Sequence, residues 1–294
     1  MIEQFAADTA MGAVTLNVAD IDAMTAYYRD GVGLDVLSAD VARVVLGRKA
    51  ATAEGLSRDI VILVQTPELR HAGPHEAGLF HTAILFDTEA ALAAAVYSVA
   101  TMRPGSFTGS SDHLVSKAFY FDDPEGNGVE LYWDRDRSTW SWTHGQIEMS
   151  TLFLDPKAFL QEHLDERGLE GAGWGDAKVG HVHLSVGDIA TAHEFYVDRL
   201  GWDQTIEIGG QALFVSAGQY HHHMAMNVWK SRGAGRRQPT LGLGQVGIVV
   251  PTADDLGALT ERMAHYGLDA RDDGKVVSVD DPWGNVLHVE AAAG

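Results

Sequence analysis

The sequence predicts an α+β protein built from four βαβββ modules in two halves, and three observations point there. The stretch VTLNVADIDAMTAYYRDGVGLDV (Val14 to Val36) aligns without a gap on VHLSVGDIATAHEFYVDRLGWDQ (Val182 to Gln204). A looser pair, FHTAILFDTEAALAAAV and GQVGIVVPTADDLGALT, repeats the order of a strand followed by a helix. Two segments then end in the same turn, DDPEGNGVELYW (Asp122 to Trp133) and DDPWGNVLHVE (Asp280 to Glu290). Self-similarity of this kind marks repeated supersecondary units.

The first module starts near Ala13. Its opening residues alternate as a half-buried strand does, Asp20 stands where a helix wants an N-cap, an amphipathic run carries the pair Tyr27-Tyr28, and Gly33 stops the helix. The second module starts near Phe80 and closes on the Asp122 turn, where Pro fixes φ while Gly and Asn tolerate positive φ ahead of the next strand. The third, near Gly180, repeats the first with Asp188, Phe195-Tyr196 and Gly201; the fourth, near Gly244, repeats the second. On ordinary element lengths each module holds about 50 residues. Residues 141–178 read as a connector, in which Asp155 caps and Pro156 opens a helix expected to run to about Arg167 and end at Gly168. The two halves are therefore residues 1–140 and 179–294.

With 294 residues, 46% hydrophobic and 21% charged, the chain has an ordinary globular composition and room for two domains. The opening MIEQFAADTA lacks the basic and apolar run of a signal peptide, and no apolar stretch is long enough to span a bilayer. A cytoplasmic location is the default expectation, with no membrane partner. A formal charge of −20 repels phosphate backbones and anionic lipids, so nucleic acid is not expected as a partner either. The one basic cluster, Lys230, Arg232, Arg236 and Arg237, sits among Gly and Pro and reads as a solvated loop. With no cysteine, disulfides, thiolate metal sites and cysteine nucleophiles are excluded, which leaves His, Asp, Glu and neutral oxygens as metal donors.

The module starts and the DDPxGNxxE finish resemble the vicinal oxygen chelate (glyoxalase/bleomycin resistance/dioxygenase) superfamily. GLFHTAILF, SDHLVSKAFYFDDPEGNGVELYWDRDRSTW, GHVHLSV and ALFVSAGQYHHHMAMNVW are similar to segments of its catechol 2,3-dioxygenase-like members. The resemblance covers nearly the whole chain. It implies paired-module open β-barrels with helices outside, and a concave face holding a divalent metal. Ligands are implied at the start of a module's first strand and near the start of its last. The implied activity is that of a non-haem Fe(II)-dependent extradiol dioxygenase, which cleaves a catechol-type aromatic ring with O2 to a muconic semialdehyde-type product. Mn(II) is the other metal such N/O donors accept. A small aromatic substrate and O2 are the implied partners, with a homo-oligomer left open. Two alternatives stand beside this: a glyoxalase-type metal-dependent lyase or isomerase, and a non-enzymatic resistance protein that binds an aromatic compound.

Carried over position by position, the family's first-strand ligands fall at Ala13, His81, His181 and Gln245. Its last-strand ligands fall at Glu130 and His288, equally far beyond the Pro of each turn. Pairing the modules in sequence order completes no two-His, one-carboxylate set. Pairing the second with the third gives His81, Glu130 and His181, a facial triad. Ala13, Gln245 and His288 are then a site that has lost its donors. His183, one alternation beyond His181, and His288 are the alternates. A lone His at a strand start is more often structural; it is the joint occurrence that points to a metal.

The resemblance further implies a proton-moving His at the second position of a His-His step, which is His223 in HHHMA, and a Tyr that hydrogen-bonds a ring-derived oxygen, which is Tyr120. Strand alternation would send His221 and His223 to one face and His222 to the other. His113, ahead of the Tyr120 strand, is expected to reach the pocket as a supporting group or a substrate contact. Trp133, Trp140 and Trp142 read either as core or as a stacking surface for the substrate.

Overall fold

In the computed structural model, which describes residues 4–50, 52, 56–172 and 174–292, a strand, a helix and three strands follow one another repeatedly. The first run is β1 (Ala10–Val18), α1 (Ile21–Ala26) continued by a π turn (Tyr27–Gly31), β2 (Asp35–Ala39), β3 (Arg43–Arg48) and β4 (Arg58–Gln65). The second is β5 (Gly78–Phe86), α2 (Glu89–Met102), β6 (Phe107–Asp112), β7 (Ser116–Asp122) and β8 (Gly128–Asp134). Then come β9 (Trp142–Thr143), β10 (Gln146–Ile147), β11 (Leu152–Phe153), α3 (Pro156–His163) and α4 (Glu166–Leu169). The third run is β12 (Ala177–Ser185), α5 (Ile189–His193) with a π turn (Glu194–Arg199), β13 (Asp203–Ile208), β14 (Ala212–Ser216) and β15 (Met224–Asn227). The last is β16 (Gly242–Val250), α6 (Ala253–His265), β17 (Arg271–Asp272), β18 (Val276–Asp280) and β19 (Val286–Ala291).

The fold is mixed α+β. Among the described residues there is a nine-stranded sheet, β11-β6-β7-β8-β5-β12-β15-β14-β13, and an eight-stranded one, β17-β18-β19-β16-β1-β4-β3-β2, neither closed into a barrel. The chain divides into two compact units, Met1–Leu16 with Leu69–Phe80 and Gly180–Gly294, and Asn17–Glu68 with His81–Val179. In the second of these, β5 and β8 run parallel, and β8, β7 and β6 follow antiparallel. The intervening α2 makes the parallel return feasible. Thr88 caps it by accepting from the Ala91 N–H, and it buries Leu92, Val96 and Val99. In the other unit β12 pairs parallel with β15 and β16 with β19, and α6 starts in a capping box of Thr252 and Asp255.

The two kinds of sequence repeat explain each other. The Tyr28 hydroxyl donates to Asp123 at 3.2 Å, and Tyr196 donates to Asp281 at 2.9 Å. Asp123 also accepts from the backbone N–H groups of Glu125 and Asn127 and from the Asn127 amide. Asp281 does the same with Trp283 and Asn285. Each Asp-Pro-x-Gly-Asn turn is thus organised around a buried carboxylate whose remaining acceptor capacity is met by a tyrosine from the aromatic pair of the preceding module. Burial pushes the Asp123 carboxyl up to about 6, while its hydrogen bonds pull it down.

Two local expectations change. The helix expected from Pro156 to Arg167 breaks at Leu164, because Asp165 turns extended and caps a separate α4 by accepting from the Gly168 N–H at 2.8 Å. The segment holding it also does more than connect: β9 and β10 form a hairpin, β11 pairs with β6, and the Trp174 carbonyl accepts from Arg48 at 3.1 Å. The basic cluster is not wholly a solvated loop. Arg237 is half-buried and donates to Asn285 Oδ1 at 3.1 Å and to the Leu243 carbonyl at 2.6 Å, bracing the Asp281 turn.

Candidate functional site

Parallel pairing of β5 with β8 places Ala83 opposite Glu130, so the alternation that brings Ala83 to one face brings His81 and Glu130 there too. His81 Nε2 lies 3.0 Å from a Glu130 oxygen, with both residues buried. One donor atom each of His81, Glu130 and His181 lie within 4.8 Å of one another. A buried carboxylate is costly unless a cation shares its charge. Two imidazoles and one carboxylate are a donor set that fits a divalent metal and leaves coordination positions open.

The alternates stand elsewhere. His183 Nε2 is 3.0 Å from Asn227 Nδ2. His288 lies on β19 opposite Gly247 and Ser278, where burial, then the charge of Arg271, lower its pKa. Near Ala13 the backbones approach closely: a Cβ added to Gly247 would come 2.6 Å from the Ala13 carbonyl oxygen.

Tyr120 sits on β7 opposite Glu130 and packs against a small-residue floor of Ala83 and Ala118 with Tyr132. Its hydroxyl is 2.7 Å from His113 Nε2, and His113 Nδ1 is 2.7 Å from the Ser150 carbonyl. A carbonyl only accepts, so Nδ1 donates to Ser150 and Nε2 is turned to the Tyr120 hydroxyl, which is also hydrogen-bonded to Glu130. Burial, then the Glu130 charge, raise the Tyr120 pKa well above the ordinary phenol range. His113 therefore touches Tyr120, and through Ser150 it is held by the segment between β10 and β11.

The three histidines do not alternate as in a strand. They lie in a bend ahead of β15, following Gly218 and Gln219 at φ of 59° and 58°, which turn the chain out of extended geometry. His221 Nδ1 and His222 Nδ1 are 2.7 Å apart. The His222 ring centre is 4.1 Å from that of His181. The His223 ring instead packs on Tyr220 at 4.8 Å and Trp202 at 5.6 Å, and its Nδ1 accepts from the Ala217 N–H. His222, read from alternation as turned away, is thus an imidazole packed at a tilt against His181.

Trp140 is core, its Nε1 donating to the Arg135 carbonyl, while Trp133 lies under Lys117 and Trp142 is exposed on β9. The sequence reading missed a group of aromatic residues around His183, namely Phe80, Phe214 and Trp229. Their separation along the chain hides them; only the composition of the histidine-containing stretch, ending in Asn227 and Trp229, hinted at it.

The family model described as the Glyoxalase/Bleomycin resistance protein/Dioxygenase superfamily matches residues 10–131 and again 178–289. A protein of Bacillus subtilis (strain 168) named Catechol-2,3-dioxygenase is 34% identical over 279 residues, covering 94% of each chain. Among solved structures, a putative dioxygenase from Bacillus subtilis subsp. subtilis str. 168 superposes with a TM-score of 0.64 at 12% identity, over 99% of this chain and 87% of that one. Glyoxalase I from Zea mays superposes with a TM-score of 0.56 at 16% identity, over 97% and 92%. At such identities the two structures bear on the fold alone; the doubled family match and the Bacillus relative bear on descent. The chain belongs to the Glyoxalase/Bleomycin resistance protein/Dioxygenase superfamily.

Proposed function

We propose that the protein is a non-haem Fe(II)-dependent extradiol dioxygenase that cleaves a catechol-type aromatic ring with O2 to a muconic semialdehyde-type product. The observation that carries this reading is the buried group of His81, Glu130 and His181 in a chain 34% identical to a catechol-2,3-dioxygenase. Those three residues are the proposed ligands. When bound there, Fe(II) supplies Lewis acidity toward the two ring hydroxyls and an electron source toward dioxygen.

The rest of the chemistry falls to side chains. The proton-moving role implied for His223 is assigned to His222, whose ring lies against His181 and whose Nδ1 is hydrogen-bonded to His221. An imidazole can accept a proton on one ring nitrogen and return it. Tyr120, held by His113, presents its hydroxyl to a ring-derived oxygen. Burial of the three ligands keeps bulk water from competing for the reacting groups.

The test is metal analysis of anaerobically purified protein, then addition of catechol and air with the yellow ring-fission product followed by absorbance. Iron or manganese near one per chain, with colour that His81→Ala and His222→Ala remove and His223→Ala retains, is the expected result. Metal without colour on any catechol would overturn the reaction, and colour lost in His223→Ala but kept in His222→Ala would return the proton-moving role to His223.

A further inference from the structure

We propose that Tyr220 is a redox-active residue: rings in contact link its phenol to His181, and along them it gives up one electron when hydrogen peroxide meets bound iron in the absence of an aromatic substrate. This rests on the iron-binding part of the reading above. The His222 ring centre lies 4.1 Å from that of His181, His221 lies 4.6 Å from His222, and Tyr220 lies 4.1 Å from His221. Ring contacts thus lead without a gap from a proposed ligand to a phenol. The Nδ1 atoms of His221 and His222 also share a hydrogen bond of 2.7 Å. Electron tunnelling falls off exponentially with the gap between groups, so rings in contact couple well, whereas rings separated by aliphatic side chains or water couple poorly. All four residues are buried, which keeps external reductants and solvent from short-circuiting the path.

Side-chain chemistry says which ring gives up the electron. Phenol and indole are the most easily oxidised rings in a protein and imidazole is much harder to oxidise, so the two histidines bridge and Tyr220 donates. Beyond Tyr220, His223 packs on it at 4.8 Å and Trp202 packs on His223 at 5.6 Å. Among the described residues the buried Trp202 Nε1–H meets no acceptor, so an oxidised indole there would keep its proton and carry a buried positive charge. A phenol loses its proton with the electron and leaves a neutral radical, which makes Tyr220 the better resting place. Tyr120 is the other phenol near the ligands, 5.8 Å from His81 between ring centres and hydrogen-bonded to Glu130. A radical on Tyr120 would sit within the reacting group, whereas Tyr220 takes the oxidising equivalent past two imidazoles and away from the ligands. The step balances. Hydrogen peroxide takes one electron from Fe(II) and one from the phenol, and its O–O bond breaks. One oxygen leaves as hydroxide and the other as water, the phenolic proton entering that water, and Fe(III) and a tyrosyl radical remain.

The experiment adds one equivalent of hydrogen peroxide to the anaerobic iron-loaded protein without substrate, freezes it rapidly and records the electron paramagnetic resonance spectrum. It uses wild type, Tyr220→Phe and Tyr120→Phe. An organic radical signal is expected in wild type, narrowed when the protein carries ring-deuterated tyrosine, retained in Tyr120→Phe and lost in Tyr220→Phe. Residue-resolved mass spectrometry after longer exposure should find added oxygen on Tyr220 in wild type and on His81 or His181 in Tyr220→Phe. Tyr220→Phe should still bind iron and cleave catechol at the wild-type initial rate, which separates a lost electron donor from a lost fold. A signal kept in Tyr220→Phe, a signal lost in Tyr120→Phe, or no radical in protein that holds iron and cleaves catechol would each overturn the proposal and leave the dioxygenase reading standing. A Tyr220 radical in protein that holds iron but cleaves no catechol would uphold the path and overturn that reading, and wild type that retains no iron would overturn both.

Discussion

The Tyr120 hydroxyl lies 2.7 Å from His113 Nε2, and the Ser150 carbonyl decides which nitrogen of that imidazole carries the proton. The hydroxyl also hydrogen-bonds Glu130, so the half-buried phenol stands between an imidazole and a proposed metal ligand. Tyr120→Phe is expected to lower kcat for ring cleavage roughly 100-fold, the lower end for a positioned proton donor, with KM changed far less. Oxygen uptake measures it, and an unchanged kcat would take Tyr120 out of the chemistry. His113→Phe should cost about tenfold, since it leaves the phenol in place without its His113 hydrogen bond.

Metal binding should be visible in stability as well as in activity. His81, Glu130 and His181 are all buried, so a cation that binds only the folded chain draws the equilibrium toward it. Added Fe(II) or Mn(II) at a hundredfold excess over Kd is expected to stabilise the apoprotein by about 2.7 kcal/mol, read as a higher urea midpoint under argon. Glu130→Gln should abolish most of that rise, and a full rise in the variant would mean that the carboxylate is not a ligand.

Asp123 makes a separate prediction about pH. Its carboxyl is pushed up to about 6 by burial, above the ordinary 3.8, so the folded chain holds a proton that the unfolded chain has released between those values. The folded state binds more protons there, and this group's contribution to stability therefore falls as pH rises from about 4 to about 6 and is level above that. The shift corresponds to on the order of 3 kcal/mol at 1.36 kcal/mol per unit. Comparing urea unfolding of wild type and Asp123→Asn across this window checks it: the gap between the two should move against wild type as pH rises. A constant gap would show that the hydrogen bonds cancel the effect of burial, and a gap moving in favour of wild type that they outweigh it.

Gly33 is fixed by two constraints at once. Its φ is +81°, and a Cβ would fall 2.2 Å from the Trp174 ring. Gly33→Ala should cost more than about 3 kcal/mol by chemical denaturation, from clash and backbone strain together. Gly105→Ala is the comparison, because Gly105 shares the positive φ with nothing within 4 Å of its Cβ position; a similar loss in both would assign the effect to backbone conformation alone.

Much of this was legible in the chain itself. The helix caps at Asp20, Asp155 and Asp188, the glycine stops at Gly33 and Gly201, and the paired Asp-Pro-x-Gly-Asn turns are local chemistry, set by residues a few positions apart. His81, Glu130 and His181 were nameable because each occupies a repeated motif position, so a rule for one module could be applied to all four. The break between α3 and α4 was missed because a helical run and a new N-cap at Asp165 compete almost evenly, and the side-chain acceptor won.

The sequence by itself determined the modular α+β plan and the exclusion of thiolate chemistry, because these depend on composition, short-range capping and repetition; the metal donor set was what its family resemblance implied. Only the tertiary structure decided that His222 rather than His223 lies against His181, that His183 faces Asn227 and an aromatic wall, and that Ser150 sets the tautomer of His113. The physical reason is the same in each case. Two left-handed residues rotate the histidine run out of strand alternation, and Ser150 and Asn227 reach His113 and His183 from 37 and 44 positions away. Side-chain direction at such a place is settled by packing and hydrogen bonding between distant segments, which periodicity along the chain does not encode.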